Sequence, residues 1–268
     1  MQVNHKAIGH KTISSVVVNI DQTGAEQVLE FIKKLPYQTS LIALAPKNCI
    51  SLLVGLNDIR EAGKFKECIK RHKYVTDVKV EVWTDVKNMP ERLHIIEDAP
   101  REGDIDLQTE EPYKADYEIE EIDQQIIEQL LKDSMQPFSK IAQTIGTSIN
   151  TVARRYKKLT EKGIIKPVIQ LNLPKLGYHA VLVFPITLGS EADPNEVIKE
   201  LFKIEDSVLM IKTSGDIDLF AFIMLKSLNQ LLETQSQVTK IKGISKIDMK
   251  IYPVLVPWPT YGEFISTF

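Results

Sequence analysis

Residues 138–166 read FSKIAQTIGTSINTVARRYKKLTEKGIIK, and the rest of the molecule can be placed around that stretch. Phe138, Ile141, Ala142 and Ile145 recur at three- and four-residue steps, which gives a short helix one apolar face. Gly146 stands where a helix ends in a left-handed residue. Thr147 and Ser148 then offer side-chain oxygens to the free amides of a new helix. In that helix Ile149, Val152, Tyr156 and Leu159 make the expected inward stripe. Thr151, Arg154 and Lys158 fall opposite, flanked by Asn150, Arg155 and Lys157. Gly163-Ile164-Ile165 leads into a short wing. Upstream, Ile119, Ile122, Ile126, Ile127, Leu130 and Leu131 mark a preceding helix, with Asp123 in its first turns.

An isolated basic amphipathic helix reads as solvated surface. Here a short helix, a glycine turn, a capped basic helix and a wing occur in order, the constellation of a helix-turn-helix that enters a DNA major groove. The candidate DNA-binding residues are Thr147, Ser148, Asn150, Thr151, Arg154, Arg155, Lys157 and Lys158. Asn150, Thr151 and Arg154 are expected at base edges, because amino-terminal polar side chains of such a helix reach them. Arg155, Lys157 and Lys158 are expected on phosphates, where affinity is independent of sequence and sensitive to salt. The net charge of −3 does not oppose this, because phosphates respond to a local patch. Lys140, Arg154, Arg155, Lys157, Lys158, Lys162 and Lys166 stand against the single acid Glu161. Residues 97–123 are the reverse, with Arg101 and Lys114 as their only bases.

Working outward, each flank shows the same order of elements. Ile13–Ile20 reads as a buried strand, and Gly24 opens a helix with Val28, Leu29, Ile32 and Leu35 inward, ended by Pro36. Ser40–Ala45 and Cys49–Leu56 are strands about a turn at Pro46-Lys47-Asn48. Ala62–His72 is helical, and Val75–Trp83 alternates as a last strand. Downstream come a strand at Val181–Ile186, a helix at Pro194–Phe202, strands at Ser207–Lys212 and Asp218–Leu225, a helix at Leu228–Val238 and a strand at Ile244–Val254. Both flanks are β-α-β-β-α-β, the ferredoxin-like unit, and together they suggest an internal duplication. The fold class is α+β: a winged helix-turn-helix flanked by two ferredoxin-like domains.

Composition bounds the function classes. The 268 residues, 43% hydrophobic and 26% charged, suit a globular chain of two or three domains. Cys49 and Cys68 lack metal-ligand or redox spacing and read as reduced thiols. The polar start, Met1-Gln2-Val3-Asn4-His5-Lys6, does not suit a signal peptide, and apolar runs such as Val181–Ile186 are far short of a membrane span. A cytoplasmic protein without cofactor or metal is expected. His5, His10, His72, His94 and His179 are scattered, and no glycine-rich phosphate loop, His-x-x-x-His or Cys-x-x-Cys occurs. The chain is not expected to be an enzyme.

From Glu121 onward the order of residues resembles the Lrp/AsnC (feast/famine) family of transcriptional regulators. The matching set is Ile122-Asp123 with Ile126 and Leu130, Ile141-Ala142, Ile145-Gly146-Thr147-Ser148, Thr151-Val152, Arg155, Leu159, Glu161 and Gly163-Ile164-Ile165. Leu176-Gly177-Tyr178, Ser214-Gly215-Asp216-Ile217-Asp218-Leu219 and Ile241-Lys242-Gly243-Ile244 follow. The resemblance implies a winged helix followed by a ferredoxin-like RAM domain that assembles dimers and binds amino acids or related effectors. Ser214, Gly215, Asp216 and Asp218 would lie in that effector region, although Gly-Asp pairs are also ordinary hairpin residues. Three features depart from the family: Met135-Gln136 in place of an Arg, Pro137 in place of Ser or Thr, and a RAM-like unit ahead of the helix-turn-helix. In that first unit Pro46-Lys47-Asn48 replaces the glycine turn.

The expected organisation is a RAM-like domain at 1–86, an acidic linker at 87–117, the winged helix-turn-helix at 118–171 and the RAM domain at 172–268. Expected partners are double-stranded DNA, an amino-acid effector and the chain itself, as a homodimer or higher oligomer or by pairing of the two RAM-like units within one chain. Two other classes share the architecture: an enzyme resembling the sirohaem decarboxylases, and an assembly protein that has lost DNA binding. Pro257-Trp258-Pro259-Thr260-Tyr261 and Phe264 would be the docking arm of the latter.

Overall fold

A computed structural model describes residues 2–3, 12–21, 23–45, 48–88, 117–166 and 172–254. In chain order the elements are β1 (Gln2–Val3), β2 (Thr12–Ile20), α1 (Ala25–Lys33), β3 (Gln38–Ala45), β4 (Cys49–Leu56), α2 (Arg60–Lys70) and β5 (Val75–Asn88). Then follow α3 (Glu121–Lys132), α4 (Phe138–Ile145), α5 (Ile149–Glu161) and β6 (Ile165–Lys166). The last are β7 (Ala180–Leu188), α6 (Pro194–Phe202), β8 (Ser207–Ser214), β9 (Leu219–Leu225), α7 (Asn229–Thr239), β10 (Ile244–Ile247) and β11 (Lys250–Pro253). The chain is a mixed α+β protein with a helix-turn-helix domain, and it divides into two compact units.

One unit holds α3, α4 and α5 with the small β1–β6 sheet. Ile126, Leu130, Ile141, Ala142, Val152, Leu159 and Ile164 form its core, so each helix contributes the stripe that its periodicity predicts. Gln2–Val3 belongs here, not with the residues that follow it: it pairs antiparallel with Ile165–Lys166 of the wing. Two residues carry no periodic signal, so this pairing was not legible in the sequence.

The other unit contains β2–β5 and β7–β11. Its first half has the strand order β5-β2-β4-β3 and its second half β10-β7-β9-β8, in each case fourth-first-third-second along the chain. The reason for β strands here is plain in β2, where Val16, Val18 and Ile20 alternate inward against Val28, Ile32, Phe65 and Ile69 of α1 and α2. The second half repeats this with Leu182, Phe184 and Ile186 of β7 against Val197, Ile198, Leu201 and Phe202 of α6.

The halves are joined edge to edge, because β5 pairs antiparallel with β8 over Val82–Asn88 and Leu209–Ser214. β5 therefore runs five residues beyond the expected end at Trp83, into the segment assigned to the linker. Asp85 and Lys87 hid this continuation. They are charged, yet Val86 beside them is buried and their backbones are paired. The final strand, expected unbroken, is split at Asp248-Met249 into β10 and β11, both on β7.

Leu53, Trp83, Val181, Val183, Leu209, Ile211 and Met224 are buried although they lie outside both helix-side cores. Burial raises the pKa of the Tyr252 hydroxyl on β11, and Ser51 on β4 pulls it back.

Residues 89–116 and the aromatic tail from 255 lie outside the described residues, as do His5, His10, His94 and Pro46-Lys47. Among the described residues no helix is long and apolar enough to cross a membrane, and no group of His, Cys, Asp and Glu is placed to hold a metal.

Candidate nucleic-acid interface

The recognition helix is placed by its caps. Gly146 ends α4 at φ 70°, and the amide of Thr147 returns to the carbonyl of Ala142 at 2.9 Å. Ser148 is the N-cap of α5: its Oγ accepts from the amide of Thr151 at 3.1 Å and lies 2.8 Å from Thr151 Oγ1. Pro137 replaces a side-chain cap at the start of α4. Val152 and Leu159 are buried, and the Tyr156 ring packs on Phe138 at 5.1 Å.

That packing leaves Asn150, Arg154, Lys157 and Lys158 exposed on one side of α5. Lys157 approaches Glu161 only at 3.8 Å, and Lys158 Nζ sits 4.5 Å above the ring of Tyr117. Thr147 is half-buried and Ser148 exposed, but the hydroxyls of Ser148 and Thr151 are engaged with each other in the cap. Ile149, expected in the buried stripe, is 52% exposed. It is the first helical residue, and the inward stripe begins only at Val152.

Arg155 corrects the expectation of a phosphate contact. Its guanidinium turns inward, donating to Glu120 Oε1 at 2.6 Å, Glu120 Oε2 at 2.7 Å, Asp123 Oδ2 at 3.3 Å and the Tyr117 hydroxyl at 3.3 Å. Tyr117 donates to Asp123 Oδ2 at 2.7 Å, which also accepts from the amide of Glu120 at 3.1 Å. Asp123 is fully buried. Hydrogen bonding to Arg155 holds the Glu120 carboxyl below the usual carboxylate range, while burial pushes the Tyr117 hydroxyl up. The cluster bolts α5 to the amino terminus of α3, so Arg155 orients the helix that its neighbours present to solvent. The pairing spans 32 residues to Asp123, and Tyr117 and Glu120 carry no motif, so helical spacing alone placed Arg155 on the wrong flank.

The glycine at the α4–α5 turn allows a simple test. A Cβ on Gly146 would meet nothing within 4 Å, so Gly146→Ala exposes only the cost of the left-handed backbone. Urea unfolding should show a loss of about 1–2 kcal/mol. No loss would mean the turn does not hold this conformation.

The expected effector turn lies in the other unit. Ser214, Gly215 and Asp216 are exposed. Asp218 instead serves the fold: its Oδ2 accepts from the amide of Leu188 at 2.7 Å, and its own amide donates to the carbonyl of Ile186 at 3.0 Å. No motif points to Glu81, a β5 residue of the first half that reaches this turn. It is 7% exposed, and its Oε2 is enclosed without a hydrogen-bond donor among the described residues.

Burial raises the Glu81 pKa. The amides of Ile217 and Asp216 and the charge of Lys79 pull it back, and the charge of Asp216 adds to the rise. A carboxyl raised on folding contributes stability that is full below its unfolded pKa and is lost as pH rises through the folded value. Glu81→Gln should remove that dependence and unfold later than wild type at neutral pH. Parallel melting curves from pH 4 to pH 8 would contradict this.

The three stacked helices, the capped and exposed polar face of α5 and the wing define a winged helix-turn-helix. A family model described as winged helix-turn-helix DNA-binding matches residues 119–166. The regulatory protein AsnC of Haemophilus influenzae is 31% identical over 132 residues, 49% of this chain and 87% of that protein. The HTH-type transcriptional regulator LrpA of Pyrococcus horikoshii is 35% identical over 134 residues, 48% of this chain and 92% of that protein. The solved structure of E. coli AsnC superposes with a TM-score of 0.46 at 24% identity, over 51% of this chain and 93% of that one. The chain belongs to the Lrp/AsnC family of DNA-binding transcriptional regulators. That membership sets the enzyme alternative aside.

Proposed function

We propose that this regulator acts in the cytoplasm and reads a duplex operator through α5, with Asn150 and Arg154 at base edges and Lys157 and Lys158 on phosphates. The observation that carries this reading is the split of α5 into a locked inner side, held by Val152, Leu159 and Arg155, and an exposed polar side. Thr147, Ser148 and Thr151 shape the entry to the groove through the cap. The two β-α-β-β-α-β halves are read as RAM-type ferredoxin-like lobes, the second carrying a small-effector site at Ser214–Asp218. Support for their mutual pairing comes from the β5–β8 seam, which joins within one chain what separate RAM domains would join between two.

One chain then presents one reading head, and a palindrome with half-sites about 34 Å apart recruits two chains. The test is selection of bound duplexes from genomic fragments, with light scattering of the free protein. Enriched inverted repeats and a free mass near the 30.4 kDa of one chain are expected. A stable dimer before DNA is added would refute intrachain pairing, and failure to enrich any sequence would refute operator reading.

A further inference from the structure

The two halves of the sheet serve as controls for each other, because their backbones match residue by residue around the helices. In the first half the amide of Asp21 donates to the carbonyl of Tyr74 at 2.8 Å, and in the second the amide of Gly189 donates to that of Gly243 at 2.8 Å. At the end of α1 the Lys34 amide returns to Phe31, and at the end of α6 the Lys203 amide returns to Glu200, each at 3.1 Å. After α2 the His72 amide returns to Ile69 at 3.0 Å, and after α7 the Ile241 amide returns to Val238 at 3.2 Å. Phe31, His72 and Tyr74 therefore have Glu200, Ile241 and Gly243 as counterparts.

In the first half these residues fill the space between α1 and the connection from α2 to β5. Phe31 lies 5.1 Å from His72, His72 lies 5.8 Å from Tyr74, and Lys73 Nζ stands 4.6 Å over the Tyr74 ring. Tyr74 sits so close to Gly24 that a Cβ there would overlap it. In the second half none of the three counterparts carries a ring, and a groove of about 990 Å³ lies between α6 and the connection from α7 to β10. Val197, Ile204 and Ile241 give it an apolar wall. The carboxylates of Glu191, Asp193, Glu196, Glu200 and Glu205 outnumber the lysines along it, Lys203, Lys240 and Lys242. None of its lining residues belongs to α5 or to the Ser214–Asp218 turn.

We propose that this groove binds an extended segment of a partner protein in which an aromatic residue is flanked by basic ones. The ring takes the place that Phe31 and Tyr74 fill in the first half, with Lys242 over it as Lys73 is over Tyr74. The flanking bases meet Glu196 and Glu200. Lys199 and Lys203 hold those carboxylates in exposed pairs, which are weak enough for an incoming guanidinium to replace. From Asp193 to Lys203 the groove follows the whole of α6, about 15 Å of helix axis. That is the reach of about four or five extended residues, more than a single free amino acid or amine would fill.

The experiment is calorimetry of the full chain with blocked pentapeptides Gly-Arg-X-Lys-Gly, where X is Trp, Tyr, Phe, Leu or Ala. The aromatic peptides should bind one to one, and the Ala peptide about thirtyfold more weakly, the worth of a buried aromatic anchor. Glu200→Phe restores the ring of the first half at an exposed helical position and should abolish binding. If that variant does not fold, Gln237→Trp fills the groove from α7 and should do the same. Glu200→Gln leaves the space open and should weaken the aromatic peptides about two- to fivefold, the worth of an exposed ion pair. Equal binding of the Ala and aromatic peptides overturns the proposal. So does binding that survives both groove-filling variants, or no binding by any peptide.

Discussion

Arg155→Ala should destabilise the winged-helix unit by about 2–3 kcal/mol, and its effect on DNA affinity should follow from that loss. The substitution leaves Asp123 wholly buried with, among the described residues, the Tyr117 hydroxyl and the Glu120 amide as the remaining hydrogen-bond donors to it. Removing one partner of a buried ion pair costs about 3–5 kcal/mol, and the 17% exposure of the Arg155 side chain moderates the figure. Arg155→Lys should not restore it, because a single ammonium cannot span both Glu120 oxygens as the planar fork does. Urea unfolding followed by tryptophan-independent circular dichroism reads the result. A phosphate-contacting arginine would behave otherwise: stability within about 0.5 kcal/mol of wild type and a salt dependence of binding shallower by about one phosphate.

The second large effect concerns Gly215. Gly215→Val puts a branched side chain where the Glu81 carboxylate lies, so either the turn lifts from β5 or Glu81 leaves its niche. Overpacking of this kind costs about 1–3 kcal/mol, and displacing a buried carboxylate from its neighbours adds to it. Glu81→Ala should relieve most of the loss, so the double variant is more stable than Gly215→Val alone. A double-mutant cycle on thermal unfolding measures this coupling. Additive effects would mean that the turn and Glu81 are energetically independent.

Long periodic segments were legible in the sequence because local packing dictates them. The α4 bounds, Phe138–Ile145, and the α6 bounds, Pro194–Phe202, follow from apolar stripes closed by Gly146 and opened by Pro194. The family resemblance was legible for the same reason, as an ordered set of core and turn residues. What escaped depends on partners distant in sequence. Asp85 and Lys87 look like the start of a charged linker until β8 pairs with them, and Gln2–Val3 have no pattern of their own. For Ile149 and Arg155 the sequence offers helical period alone. That period ignores where the core ends for Ile149 and which acids lie across it for Arg155. Glu81 carries no motif, and only the strand register brings it to Gly215.

The exposed side of α5 is the surface proposed to meet DNA. Its most direct test is duplex binding across a salt series for wild type and Arg154→Ala/Lys158→Ala. Affinity should fall steeply with salt in wild type, and the double variant should bind more weakly with a logarithmic slope shallower by about one, because only Lys158 of the pair meets a phosphate and each phosphate neutralised carries roughly 0.9. Equal slopes in the two proteins, or no binding by wild type at low salt, would contradict DNA binding through this side of α5.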